Sequence, residues 1–168
     1  DGGWHRDGER PPAHPGGIDE QHRRERTALT YAMVDLIDRN VGLMLDALES
    51  KDLLENTIVV FTSDHGELLG DHGQWHKGPF FYEGLVNTPL LVCGPGVAER
   101  SETAALFSDV DLAPTLCELT GIPVPLSADG VSQVGVLKGE TEAVRDRCLI
   151  EYRTGYGRND NDAAVLVT

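Results

Sequence analysis

Residues 56–67 read Asn56-Thr57-Ile58-Val59-Val60-Phe61-Thr62-Ser63-Asp64-His65-Gly66-Glu67, and their change of character halfway along decides the fold class. Positions 57–62 form a continuous run, β-branched at every position but Phe61. Such a run predicts a strand buried on both faces, as in a parallel sheet covered by helices. The chain then turns abruptly polar. In open α/β sheets, ligands gather beyond the carboxyl ends of the strands, which is where Asp64 and His65 fall. Residues leaving a strand no longer alternate between faces, so an adjacent carboxylate and imidazole can reach one cation. Gly66 is expected to permit the sharp turn this needs. A turn with a capping Asp and a surface His accounts for the same string, and spacing alone does not choose between the two.

Upstream, residues 19–50 predict a helix. Leu29, Met33, Leu36, Ile37, Val41, Met44 and Leu48 recur at steps of three and four, the apolar stripe of an amphipathic helix. A helix, a short turn at Glu55-Asn56 and a buried strand give an α/β architecture. Residues 1–18 hold Gly2, Gly3, Gly8, Pro11, Pro12, Pro15, Gly16 and Gly17, a density of breakers that predicts a loop or extended arm. Residues 19–168 then read as a partial α/β domain, expected to continue beyond both ends.

Downstream, residues 63–88 lack periodicity and predict a long loop, the kind that usually carries function in a compact domain. A second strand is expected at 89–92, closed by Gly94-Pro95-Gly96. A helix is expected at 109–119, with Asp111 as N-cap, Pro114 in the first turn and Gly121 beyond its end. Residues 127–139 read as a loop with at most a short turn, and 148–152 as a strand. The closing Ala163-Ala164-Val165-Leu166-Val167-Thr168 reads as an unfinished strand. Together with the absence of an initial Met, it suggests a piece of a longer polypeptide.

The 168 residues carry 28 acids against 14 Lys and Arg, a net charge of −14. That excess argues against nucleic acid, whose binding rests on basic side chains, and against docking on an anionic membrane. No apolar run is long enough to span a bilayer. Cys93, Cys117 and Cys148 are too few and too scattered for a disulfide framework or a zinc site. Within this acidic chain Lys77 is the sole Lys or Arg between Lys51 and Arg100. It lies in Trp75-His76-Lys77-Gly78, twelve residues past His65. A solvated surface charge explains it, as does a point charge gripping an anion held against a metal. His72 and His76 are candidate supplements to the site, and Glu67 and Asp71 candidate partners that orient the ligands. Cys93 is read as structural. Asp109 and Asp111 are read as helix-start acids, and 155–161 as a polar loop carrying Arg158. No GxSxG, Walker or GxGxxG signature is present.

Several segments, taken in order, resemble the sulfatase family of the alkaline-phosphatase-like superfamily. They are residues 31–42 (YAMVDLIDRNVG), 48–49 and 56–67, then Gly70-Asp71-His72-Gly73, Lys77-Gly78, Tyr82-Glu83-Gly84, Thr88-Pro89-Leu90-Leu91 and Gly94-Pro95-Gly96. Residues 109–116 (DVDLAPTL) and Gly121-Ile122-Pro123 follow. The similarity runs from residue 25 to residue 152. It implies part of an alkaline-phosphatase-like sandwich, with a mostly parallel central sheet flanked by helices. It further implies hydrolysis of a sulfate ester, small-molecule or carbohydrate, with one divalent metal ion. By matching position, Asp64 and His65 are metal ligands and Lys77 binds the sulfate group.

Many sulfatases have Asn at the second ligand position, paired with calcium. His65 admits manganese beside calcium, with zinc behind them. The same His resembles the phosphonate monoester hydrolase and phosphodiesterase branches. The family's Cys- or Ser-x-Pro-x-Arg motif, which yields formylglycine, is absent from these residues, as are its paired N-terminal metal aspartates. The chain is accordingly expected to be a middle-to-late portion of the enzyme, inactive alone, with formylglycine in the remainder. A non-catalytic metal-binding module is the other reading. Oligomeric state is left open, as is compartment, between cytoplasmic and periplasmic or secreted.

Overall fold

A computed structural model describes residues 19–99, 101–152 and 163–167. The arm expected at 1–18 and the loop with Arg158 lie outside the described residues. Helix α1, Glu20–Glu49, matches the periodicity and at 30 residues is about 45 Å long. Asp19 caps it by accepting the Gln21 N–H at 3.1 Å. Glu20 in the first turn pairs with Arg23 at 2.9 Å and Arg24 at 2.8 Å. Hydrogen bonds from Arg23, then from Arg24, hold the Glu20 carboxyl at about 2, against an ordinary 4.5. A depressed acid supports the folded helix above its ordinary value and loses that support as pH falls through the depressed one. Far-UV circular dichroism should therefore show helicity declining between pH 4.5 and about 2. Glu20→Gln should lack that component at neutral pH.

The apolar stripe of α1 is open. None of its residues is buried, and Leu29, Met33, Leu36, Ile37 and Met44 are all exposed. After a 3-10 turn at Leu54–Asn56, strand β1, Val59–Thr62, pairs with β2, Leu90–Cys93. The class is α/β, as expected, and the pairs among the described residues are antiparallel. β1 and β2 run antiparallel, from Val59 opposite Cys93 to Thr62 opposite Leu90. Strand β3, Cys148–Tyr152, also pairs antiparallel with β4, Ala163–Val167. Both sheets have two strands among the described residues; no residue of β1 is fully buried, and Phe61 is exposed. Cys93, opposite Val59 at the end of β2, is likewise exposed. Gly94, just past β2, allows the chain to close on β1, because a Cβ there would overlap the Thr57 carbonyl.

The buried residues lie elsewhere. Leu68 and Leu85 are buried, the latter on the one-turn helix α2, Glu83–Val86, which interrupts the expected long loop. A second group gathers around α3, Leu112–Thr120, and the short α4, Val134–Leu137, where Val134, Val136 and Cys148 are buried. A 3-10 turn, Asp109–Asp111, leads into α3, and Ser108 and Asp111 form a reciprocal capping box. Gly121 ends α3 in the left-handed conformation, and the Ile122 N–H returns to the Cys117 carbonyl at 2.8 Å.

Candidate functional site

Asp64 and His65 leave the end of β1 as expected, and the loop folds so that Lys77 meets them. The backbone holds the pair: the Ser63 hydroxyl donates to the His65 carbonyl at 2.8 Å, and Asp64 Oδ1 accepts the His65 N–H at 3.1 Å. His65 Nδ1 lies 2.8 Å from the Gly66 carbonyl oxygen, and Lys77 Nζ lies 2.7 Å from Nε2. A carbonyl only accepts and an ammonium only donates. Nδ1 therefore carries the proton, and Nε2 presents its lone pair. Asp64 Oδ2 stands 3.5 Å from the same Nε2. Asp64 is widely exposed, whereas His65 is part-buried.

Gly66 does not make a left-handed turn, which corrects its expected role. Its N–H donates to the Leu85 carbonyl at 2.9 Å, and a Cβ there would overlap the carbonyl oxygen of Gly84. The glycine is needed for close approach of two backbone segments. Gly66→Ala should lower stability by about 1–3 kcal/mol, as overpacking generally does, read as a reduced urea midpoint.

The other candidates are not brought to Asp64 and His65. His72 stacks on Tyr82 with ring centroids 3.7 Å apart, and His76 faces Glu67 at 4.0 Å. Glu67 also accepts the Leu69 N–H at 3.3 Å, within its own loop. Trp75 packs under the Arg26 guanidinium, 5.0 Å from its ring centroid, and so ties the loop to α1. The orienting partner of His65 is thus the Gly66 carbonyl, where the sequence suggested Glu67 or Asp71. Among the described residues no group of three or more His, Cys, Asp or Glu could hold a metal ion. Asp64 and His65 nevertheless fit a cation as two of its ligands, one carboxylate oxygen beside one imidazole lone pair whose opposite nitrogen is fixed.

Sequence reasoning missed a buried polar centre. Asp111 is fully buried and ion-paired with Arg145. Its carboxylate also accepts from the Ser108 N–H at 3.0 Å, the Val131 N–H at 2.8 Å and Gln133 Nε2 at 3.0 Å. Arg145 lines the same broad groove as Asp64, His65 and Lys77.

Fold and site define a class: an α/β domain whose strand-end loop gathers a carboxylate, an imidazole and an ammonium around one point. The family model for sulfatases matches residues 6–122, so the chain belongs to the sulfatase family. The match starts ahead of residue 25, where the sequence resemblance began. Arylsulfatase K of Gallus gallus is 41% identical over 132 residues, covering 77% of this chain and 24% of the relative. A solved 2-O GAG sulfatase superposes with TM-score 0.76 and 30% identity, covering 83% of this chain and 31% of that one. The phosphonate monoester hydrolase of Agrobacterium radiobacter superposes with TM-score 0.70 and 32% identity, over 80% of this chain and 27% of its own. These neighbours place the fold as alkaline-phosphatase-like. The chain spans about a quarter of the length of the curated relatives it matches.

Proposed function

We propose that this chain supplies part of the active site of a metal-dependent sulfuric ester hydrolase, acting on an aryl or carbohydrate sulfate. The observation that carries the reading is the contact of Lys77, His65 and Asp64 at the end of β1, inside the region matched to the sulfatase family. Asp64 and His65 serve as two ligands of one divalent cation, with manganese or calcium ahead of zinc. A cation held by these two residues would supply Lewis-acid polarisation of the sulfuryl oxygens. Lys77 places a fixed positive charge for an ester oxygen as negative charge grows on it. The Gly66 carbonyl keeps the His65 lone pair turned toward the same point. The nucleophile, a formylglycine, belongs to the remainder of the enzyme.

A phosphodiesterase or phosphonate monoester hydrolase is the second reading, favoured by His at position 65 and by the Agrobacterium neighbour. Sulfate monoesters and phosphodiesters both carry one negative charge, so the site's charge suits either. Paired rates of the full-length enzyme on an aryl sulfate and an aryl phosphodiester decide between them. A higher kcat/KM on the sulfate is expected, and a clear preference for the phosphodiester would overturn the first reading.

A further inference from the structure

The loop that carries Lys77 closes on itself and is held from outside. Asp71–Gly73 is a 3-10 turn, and the Gly70 N–H donates to the Gln74 carbonyl at 2.9 Å. Three non-glycine residues of the loop, Leu69, His72 and His76, have φ between +47° and +63°. Such left-handed backbone is disfavoured for a residue with a side chain and persists where surrounding contacts hold it. Two contacts do so. His72 stacks on Tyr82, and Trp75 lies under the Arg26 guanidinium of α1, 5.0 Å from its ring centroid. A cation within about 6 Å of an indole centroid is attracted by the negative face of the ring. Arg23, one turn earlier on the same face of α1, keeps its proton more firmly than usual because of Glu20 first and, across the gap, Asp71. Helix α1 thus addresses the loop at two points, and Trp75 is the one nearer to Lys77, two residues on.

Resting on the reading of Lys77 as the charge that grips the ester anion, we propose that Arg26 and Trp75 are a positioning pair for Lys77. Arg26 acts through the loop. The indole fixes the backbone at residue 75, His76 turns the chain with its left-handed φ, and Lys77 Nζ reaches His65. Lysine carries its charge on a flexible four-carbon stem, so anchoring its backbone removes part of that freedom. A charge placed in advance stabilises developing negative charge without reorganisation during the reaction. When the contact is lost, the loop populates other arrangements, and only the fraction with Lys77 in place is competent.

The test is steady-state kinetics of the full-length enzyme, on whichever of an aryl sulfate and an aryl phosphodiester it turns over faster. Arg26→Gln and Trp75→Leu should each lower kcat/KM about two- to fivefold, the population shift that a cation–π contact at an exposed site corresponds to. Trp75→Leu alters no charge, so a matching loss there excludes a long-range field of the guanidinium. Arg26→Lys and Trp75→Phe, which keep a cation over an aromatic face, should recover most of the rate. On a Lys77→Ala background, Arg26→Gln should cost nothing further, because no ammonium is left to place. A contact that merely stabilised the fold would cost the same on both backgrounds. That result would overturn the proposal, as would wild-type rates for Arg26→Gln and Trp75→Leu. If Lys77→Ala still removes most turnover in either case, the role of Lys77 stands and only the positioning falls. If Lys77→Ala matches wild type, both fall together.

Discussion

Asp111→Ala is expected to lower the stability of the chain by about 3–5 kcal/mol, the range for breaking one side of a buried ion pair. Asp111 is fully buried, and its carboxylate answers four donors contributed by Ser108, Val131, Gln133 and Arg145. Alanine leaves two backbone N–H groups, an amide and a largely buried guanidinium without that acceptor. Arg145 fares worst, since its Nε has no hydrogen-bond partner even in the intact protein. The expected result is a large fall in urea midpoint. Arg145→Met should cost less, because the carboxylate keeps its other three donors. Asp109→Ala, at an exposed position of the same turn, should stay within about 0.5 kcal/mol. If Asp109→Ala and Asp111→Ala were equally mild, Asp111 would be the simple helix-start acid its sequence position suggests.

That contrast shows what the sequence can and cannot disclose. Elements governed by local pattern were legible: α1 from its stripe of Leu, Met and Ile, and α3 from Pro114 and Gly121. The juxtaposition of Asp64 and His65 beyond a strand was legible too, since adjacency in sequence nearly guarantees it. Long-range partners were not. Three of the four donors to Asp111 lie 20 to 34 residues away, and nothing in DVD distinguishes the buried acid from the exposed one. Gly66 looked like a turn glycine because the backbone it must admit, at Gly84, lies 18 residues on. The β-branched run in β1 announced a strand but left its direction of pairing undecided. Likewise the stripe on α1 showed amphipathicity and could not show what covers it. Its exposure suits a chain matching only about a quarter of its relatives' length.

Asp64→Ala is expected to remove Mn2+ binding while leaving the unfolding midpoint within about 0.5 kcal/mol of wild type, as for an ordinary surface substitution. Its side chain is 85% exposed, and its recorded contacts, to the His65 N–H and ring, are local. Loss of binding without loss of stability would thus assign Asp64 to the metal rather than to the turn. His65→Ala should behave differently. It deletes the ring between the Gly66 carbonyl and Lys77, so metal affinity falls while the lysine loses its anchor. His65→Asn separates the two effects, because its amide oxygen restores an oxygen ligand of the kind calcium prefers. If Asp64 and position 65 hold one cation, this variant should bind Ca2+ more tightly relative to Mn2+ than wild type does. An unchanged ratio would mean that the imidazole contributes no coordinating atom. Asp64 would then be left with the helper role of fixing the His65 backbone.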